Sequence, residues 1–406
     1  MDGHASRGLP LADEPAAAST RSTSRWLDAG DLRTPVAAFA VSRALLFGFA
    51  WASLRLSPGL AFGTRAFPSQ PWLDGWVRWD SFWYLEIALS GYRWTPGQES
   101  TVHFLPLFPM LARLAAIPLR PALDDAHAVL AAGVALALAS FLVGLVGVRR
   151  LGRDLVGETA ADRAVWLMAL FPSSATFGAF YSESLFLALA VWALWFARRG
   201  SWPIAATLAG ASAATRLLGV VVIATVALEA LRQNGWRLVP PRREWVALGV
   251  ALLPPAAVVV GSWLAFGDPL VFAASARGAF GRTFGPARIV EDALAIARHP
   301  LYAPLAPDAT ITVAWWLLLA LATPALVAVC WRRIGAVEAS LPIGYLGIAL
   351  ASGIDSTGRY FSVMFPLFYA LALVASGRNA YRGLCAAFVP LLLQQTFSFA
   401  HWGSAH

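Results

Sequence analysis

Acids are scarce in this sequence, and those set among aromatic residues are the first candidates for chemistry. The densest stretch is Arg78-Trp79-Asp80-Ser81-Phe82-Trp83-Tyr84-Leu85-Glu86-Ile87-Ala88-Leu89-Ser90-Gly91-Tyr92. On a helix, Phe82, Leu85 and Leu89 share one side at spacings of three and four, and Asp80 sits at the N-terminus. That describes an amphipathic helix lying in a membrane interface. An aspartate that only caps a helix is worth roughly 1 kcal/mol, but capping needs no ring of Trp and Tyr. Further on, His103-Phe104-Leu105-Pro106-Leu107-Phe108-Pro109 carries two prolines that stop and restart an apolar helix. No second His or Cys stands at ligand spacing from His103, so it reads as a hydrogen-bonding residue of the interface rather than a metal ligand.

A third motif, Phe171-Pro172-Ser173-Ser174-Ala175-Thr176-Phe177-Gly178-Ala179-Phe180-Tyr181-Ser182-Glu183-Ser184, forms a short hairpin between apolar runs. Glu183 opens the next helix, where the positive dipole end favours its carboxylate; alternatively it faces a cavity as a hydrogen-bonding group. Two arginines complete the set. Arg216 lies in Ala214-Thr215-Arg216-Leu217-Leu218-Gly219, and Arg359 in Ser356-Thr357-Gly358-Arg359-Tyr360-Phe361. Cations at membrane depth are costly and usually paired or functional, although a long side chain can also reach out to lipid head groups. A planar guanidinium suits phosphate through paired hydrogen bonds. The combined chemistry is displacement at a lipid-linked phosphate: a carboxylate takes a proton from an attacking hydroxyl and arginines stabilise the departing phosphate. Asp80 is the candidate base. Arg78, Trp79, Trp83, Tyr84, His103, Glu183, Arg216, Arg359 and Tyr360 are the candidate substrate-binding residues. No Gly-rich phosphate loop, nucleotide fold or triad spacing is present.

These residues must be positioned by a membrane bundle. The chain of 406 residues is 58% hydrophobic and only 13% charged, against about 25% charged in soluble proteins. Its 18 Trp suit the membrane–water interface. The net charge of +8 comes entirely from arginine, placed mostly at the ends of apolar segments, which excludes the nucleic-acid reading that a basic soluble chain would invite. Apolar runs lie near 35–57, 127–148, 164–178, 184–197, 203–214, 217–231, 245–266, 311–331, 340–352, 360–376 and 383–401, an all-α, multi-pass protein of about eleven spans. With the N-terminus inside, every short inside loop is basic: Arg149, Arg150, Arg153 and Arg163; Arg198 and Arg199; Arg232, Arg237, Arg242 and Arg243; Arg332 and Arg333; Arg378 and Arg382. A single span over 203–231 would put Arg198 and Arg232 on opposite sides, so that segment is two spans. Two long connections, about 58–126 and about 267–310, then lie outside, and the first carries the acid-bearing amphipathic helix. Residues 1–33 read as a disordered cytosolic tail ahead of a single membrane domain, 34–402, whose first run is a retained signal anchor. Cys330 and Cys385 lie in or beside apolar runs and do not make a disulfide framework.

The ordered motifs, Trp79-Asp80-Ser81 with Trp83-Tyr84, Ile87-Ala88 and Gly91-Tyr92, then Phe104 to Pro109, then Phe171-Pro172 through Tyr181-Ser182-Glu183-Ser184-Leu185-Phe186, resemble the PIG-V family. This is the family of the second mannosyltransferase of glycosylphosphatidylinositol assembly, with bacterial relatives, and the arginine-only, alanine-heavy composition fits a bacterial member. The resemblance implies a GT-C glycosyltransferase of the plasma membrane, working on its extracytoplasmic face with a polyprenyl-phosphate sugar donor, usually mannose. It implies Asp80 as general base, an inverting displacement that gives an α-mannoside, Glu183 and Arg359 facing the cavity, and no metal or other cofactor. The implied partners are the lipid-linked donor, membrane lipids and an envelope glycolipid, glycan or secreted-protein acceptor, with no nucleic acid. Two other functions use the same features: a flippase for a lipid-linked sugar, which would not need Asp80, and a non-catalytic assembly partner.

Overall fold

The structure is a computed structural model and describes residues 29–57, 65–237, 243–278, 307–352 and 357–402. Every regular element among the described residues is helical. Eight of the apolar runs are single helices: Ala29–Leu56, Asp125–Val156, Glu183–Arg198, Trp202–Ala213, Gly219–Gln233, Pro307–Arg333, Ala336–Ser352 and Arg378–Ala400.

The other three runs are broken, and in each the second piece has proline as its first or second residue. Run 164–178 divides into Glu158–Leu170 and a 3-10 segment, Pro172–Gly178. Run 245–266 divides at Leu252, before Pro254. Run 360–376 divides between Thr357–Ser362 and Phe365–Val374, before Pro366. A proline cannot donate the hydrogen bond that would continue the preceding helix, yet it suits a first turn. Among the described residues, Gly30–Leu56, Asp125–Val156, Arg243–Phe266 and Arg378–Ala400 are long and apolar enough to cross a membrane alone. Most of the others are shorter, and Pro172–Gly178 and Glu183–Arg198 meet at 98°.

Helix ends collect at two poles. At one pole Asp31 is ion-paired to Arg149 at 2.7 Å, Arg153 at 2.6 Å and Arg150 at 3.3 Å. Arg199 meets Asp154 and Arg198 meets Glu338 at the same pole. Residues 29–33 are therefore helix and not tail: Asp31 is 4% exposed and ties the first helix to the arginines of the 125–156 helix. The remainder of the expected tail, 1–28, lies outside the described residues, as do 58–64 and 279–306 of the two long connections.

At the opposite pole, Trp202–Ala213 and Gly219–Gln233 form the tight hairpin that carries Arg216. A Cβ on Gly219 would stand 2.1 Å from the Ala213 backbone nitrogen and 2.3 Å from its Cα. Backbone cannot yield as a side chain can. Gly219→Ala is accordingly expected to cost about 3 kcal/mol, at the upper end for overpacking, read as a lowered unfolding midpoint in detergent.

Candidate functional site

The approach to the site is built by residues 71–80. Arg78 is fully buried there: it pairs with Asp74 at 2.7 Å and donates through Nε to the Ala400 carbonyl at 2.9 Å. Burial lowers its pKa, and the hydrogen bond and charge of Asp74 offset only part of that lowering. Arg78 thus clamps the first long connection to the end of the last helix. Trp79 follows with φ +47° and ψ −113°, a conformation favoured by glycine that costs a side-chain-bearing residue about 1–3 kcal/mol. Its ring is held against Ala179, Tyr181 and Phe399, and edge-on to Trp402 at 5.3 Å. This turn starts the helix Asp80–Ser90 with Asp80 as its first residue. Ser81, Tyr84, Ile87 and Ala88 form the buried face, whereas Phe82 and Leu85 are half-buried and Leu89 is exposed. The stripe read from the sequence is therefore the outward one, and the helix is apolar on its inner side as well.

The second strut is the broken segment between Leu170 and Glu183. Arg43, from the middle of the first helix, is 5% exposed and donates to the Ser174 carbonyl at 2.9 Å and to Ser174 Oγ at 2.7 Å. Those oxygens belong to a turn whose backbone is not paired as in a continuous helix, so the guanidinium supplies the missing donors. The segment then reaches the first strut, since the Phe180 amide donates to the Trp76 carbonyl at 3.0 Å. Arg43→Met is expected to cost about 1–3 kcal/mol for each buried oxygen left unsatisfied, read by unfolding in detergent. Arg43→Lys should recover part of the loss, because it restores one donor group but not the fork.

On these struts four charged residues form one chain of ion pairs. Asp80 meets Arg359 at 2.5 Å, Arg359 lies 3.7 Å from Glu183, and Glu183 meets Arg216 at 2.7 Å. Two carboxylates and two guanidiniums alternate in sign, which offsets the cost of burying each. Glu183 is at the back, its side chain only 1% exposed, while Asp80 keeps 24% of its side chain open. Ser182 Oγ accepts from Arg216 at 3.2 Å and is hydrogen-bonded to the Tyr84 hydroxyl at 2.8 Å. Burial, opposed by the charge of Arg216 and assisted by those of Glu183 and Asp80, raises the Tyr84 pKa, so the phenol stays protonated. The Arg359 guanidinium lies 5.4 Å from the centre of the Tyr181 ring, and that of Arg216 lies 5.8 Å from the Tyr360 ring.

This chain forms the polar end of a cavity of about 330 Å³. Asp80, Tyr84, His103, Arg216, Arg359 and Tyr360 line it. Its far wall is apolar and includes Pro255, Val258, Val259, Leu270, Phe272 and Ile348. Four of the residues expected at the site do not line this cavity. Arg78 is consumed by Asp74 and the Ala400 carbonyl; Trp79 is packed in the turn; Trp83 stacks on Phe104 with ring centres 6.0 Å apart; Glu183 stands behind the arginines. Arg43, Tyr181 and Ser182 contribute without having been singled out. Tyr181 and Ser182 adjoin Glu183 in sequence, and Arg43 is a charge inside the first apolar run, which is itself a signal.

The fold and site define an all-helical, membrane-type bundle with an acid–arginine cavity at one pole and an apolar wall leading from it. Residues 62–253 match the family model described as mannosyltransferase (PIG-V), so the resemblance seen in the motifs stands over the segment that holds Asp80, Glu183 and Arg216. Arg359 lies beyond it. No match was found among curated proteins. Among solved structures the chain is similar to an oligosaccharyltransferase from Archaeoglobus fulgidus in complex with zinc and sulfate, at 16% identity and a TM-score of 0.49, covering 92% of this chain and 53% of that one. It is also similar to ArnT from Cupriavidus metallidurans bound to undecaprenyl phosphate, at 14% identity and a TM-score of 0.49, covering 86% of this chain and 62% of that one. This chain thus spans roughly half to three-fifths of the length of those proteins.

Proposed function

We propose that this protein is an inverting membrane glycosyltransferase that moves a sugar, most simply mannose, from a polyprenyl-phosphate donor to an acceptor hydroxyl outside the cytosol. The observation that carries the reading is Asp80 facing a cavity that also holds two arginines and whose far wall is apolar. The isoprenoid chain lies along the wall of Pro255, Val259 and Phe272, and the phosphate is held by Arg216 and Arg359. The acceptor hydroxyl gives its proton to the Asp80 carboxylate as its oxygen bonds to the anomeric carbon. The bond from that carbon to the phosphate oxygen breaks, its electron pair leaves with the phosphate, and the guanidiniums neutralise the added charge. The Tyr84 hydroxyl and His103 border the space beside Asp80 and contact the sugar or acceptor. No step calls for a metal ion. The mannosyltransferase family of residues 62–253 supports the donor sugar. Basic residues gathered at the Asp31 pole support a cytosolic N-terminus in the plasma membrane, with the cavity on the outer side.

The test is turnover by the purified protein with polyprenyl phosphomannose and an envelope-lipid extract in buffer containing EDTA. Formation of a mannosylated lipid supports the reading. Movement of donor across a vesicle membrane with no new glycoside would show a flippase instead.

A further inference from the structure

The ion-pair chain poses a chemical conflict for the transfer reaction. A carboxylate paired with arginine is a weaker proton acceptor than one that is not, and Arg359 stands 2.5 Å from Asp80. The same Arg359 lines the cavity, where a phosphate would draw it away. Arg216 is differently placed: Glu183 holds it at 2.7 Å and Ser182 at 3.2 Å, both from the same short stretch of backbone. Arg359 lies at the longer distance of 3.7 Å from Glu183, so its stronger carboxylate contact is the one with Asp80.

We propose that Arg359 is exchanged between Asp80 and the lipid phosphate: it pairs with Asp80 in the empty cavity and moves to the phosphate of the bound donor. The exchange, which rests on the transferase reading, makes Asp80 a competent base only when a donor is present. Glu183 is the positioning residue of this arrangement, keeping Arg359 within reach of both partners while fixing Arg216 as the second prong. The bound donor adds one negative charge to the cavity, and the transfer step itself leaves the total unchanged. With the cavity empty, two carboxylates face two guanidiniums. With the donor bound, the phosphodiester and Glu183 face them, and Asp80 turns to the acceptor hydroxyl. When the sugar leaves, Asp80 holds the acceptor's proton and the phosphate gains one negative charge, so Arg359 stays on the phosphate. Loss of the proton from Asp80 to solvent restores its claim on Arg359 and assists product release.

The test is a double-mutant cycle on binding of undecaprenyl monophosphate, the leaving group, to detergent-purified protein. Asp80→Asn removes the charge that competes for Arg359 and should tighten Kd about tenfold, within the usual coupling range of contacting charges. In an Arg359→Gln background the same change should alter Kd by less than about twofold, because there is nothing left to exchange. Equal tightening in both backgrounds would mean simple repulsion between Asp80 and phosphate, and would overturn the proposal, as would no tightening at all. If Arg359→Gln does not fold, the infrared difference spectrum of wild type with carboxyl-labelled aspartate replaces the cycle. Addition of undecaprenyl monophosphate should then shift one carboxylate band that is missing in Asp80→Asn, and an unshifted band overturns the exchange. Turnover measured in parallel separates the two readings. A wild type that shows the binding cycle but transfers no sugar keeps the exchange and sinks the transferase.

Discussion

Asp80→Asn is expected to lower kcat for sugar transfer by about 10³-fold, within the span of a positioned proton acceptor, while the melting temperature stays near that of wild type. The amide has the size of the carboxylate, and its oxygen can still accept from Arg359, so the contact between the Asp80–Ser90 helix and the Thr357–Ser362 helix survives. Arg359 also keeps Glu183 as a counter-ion at 3.7 Å. What the amide cannot do is take a proton. The loss should therefore appear in kcat at saturating donor, with KM for the donor unchanged or lower, because a neutral residue no longer competes for Arg359. Initial rates across donor concentrations, with a melt on the same preparation, decide the matter. A variant that keeps most of its kcat would remove Asp80 from the chemistry.

The four charged residues come from parts of the chain as far apart as 279 positions, yet each was legible in the sequence. Asp80 and Glu183 drew attention as acids in aromatic or small-residue settings, and Arg216 and Arg359 as arginines on the side that the positive-inside pattern leaves poor in them. That argument uses residue type and sidedness, both of which sequence carries. What sequence does not carry is which contacts a cation makes. Arg78 stands two positions from Asp80 and reads like a phosphate-binding arginine; only the approach of the Ala400 carbonyl and Asp74 shows that its donors are taken. Arg43 was hidden for the opposite reason: one charge did not interrupt an otherwise apolar run long enough to span. The broken runs have the same origin, since Pro172, Pro254 and Pro366 look alike in a hydropathy count whether they sit in a span's first turn or divide it. The apolar wall at 255–272 could not be told from any lipid-facing surface, because only its placement opposite Asp80 gives it a role.

Glu183→Ala is expected to be the most destabilising change at the site, by about 3–5 kcal/mol, the cost of removing one partner from a buried charge group. The Glu183 side chain is 1% exposed and is the contact common to both guanidiniums. Without it two buried cations share the single charge of Asp80, which is ion-paired with Arg359. Arg216 then loses its carboxylate contact at 2.7 Å and keeps the hydrogen bond to Ser182 Oγ and the Tyr360 ring. Glu183→Gln should fall short of wild type by less, since the amide keeps the shape and one acceptor. The decisive comparison is the double variant Glu183→Met with Arg216→Met. Apolar side chains of similar volume in place of a buried pair commonly restore stability, so its unfolding midpoint should return toward wild type. Sugar transfer should not return with it, because the second prong on the phosphate is gone and Arg359 has lost the counter-ion that balances it between Asp80 and donor. Denaturant unfolding in detergent and turnover, both measured on the single and double variants, separate the two roles. Recovery of both would make the Glu183–Arg216 pair a packing feature, and recovery of neither would show that the pair stabilises the fold beyond its own charge balance.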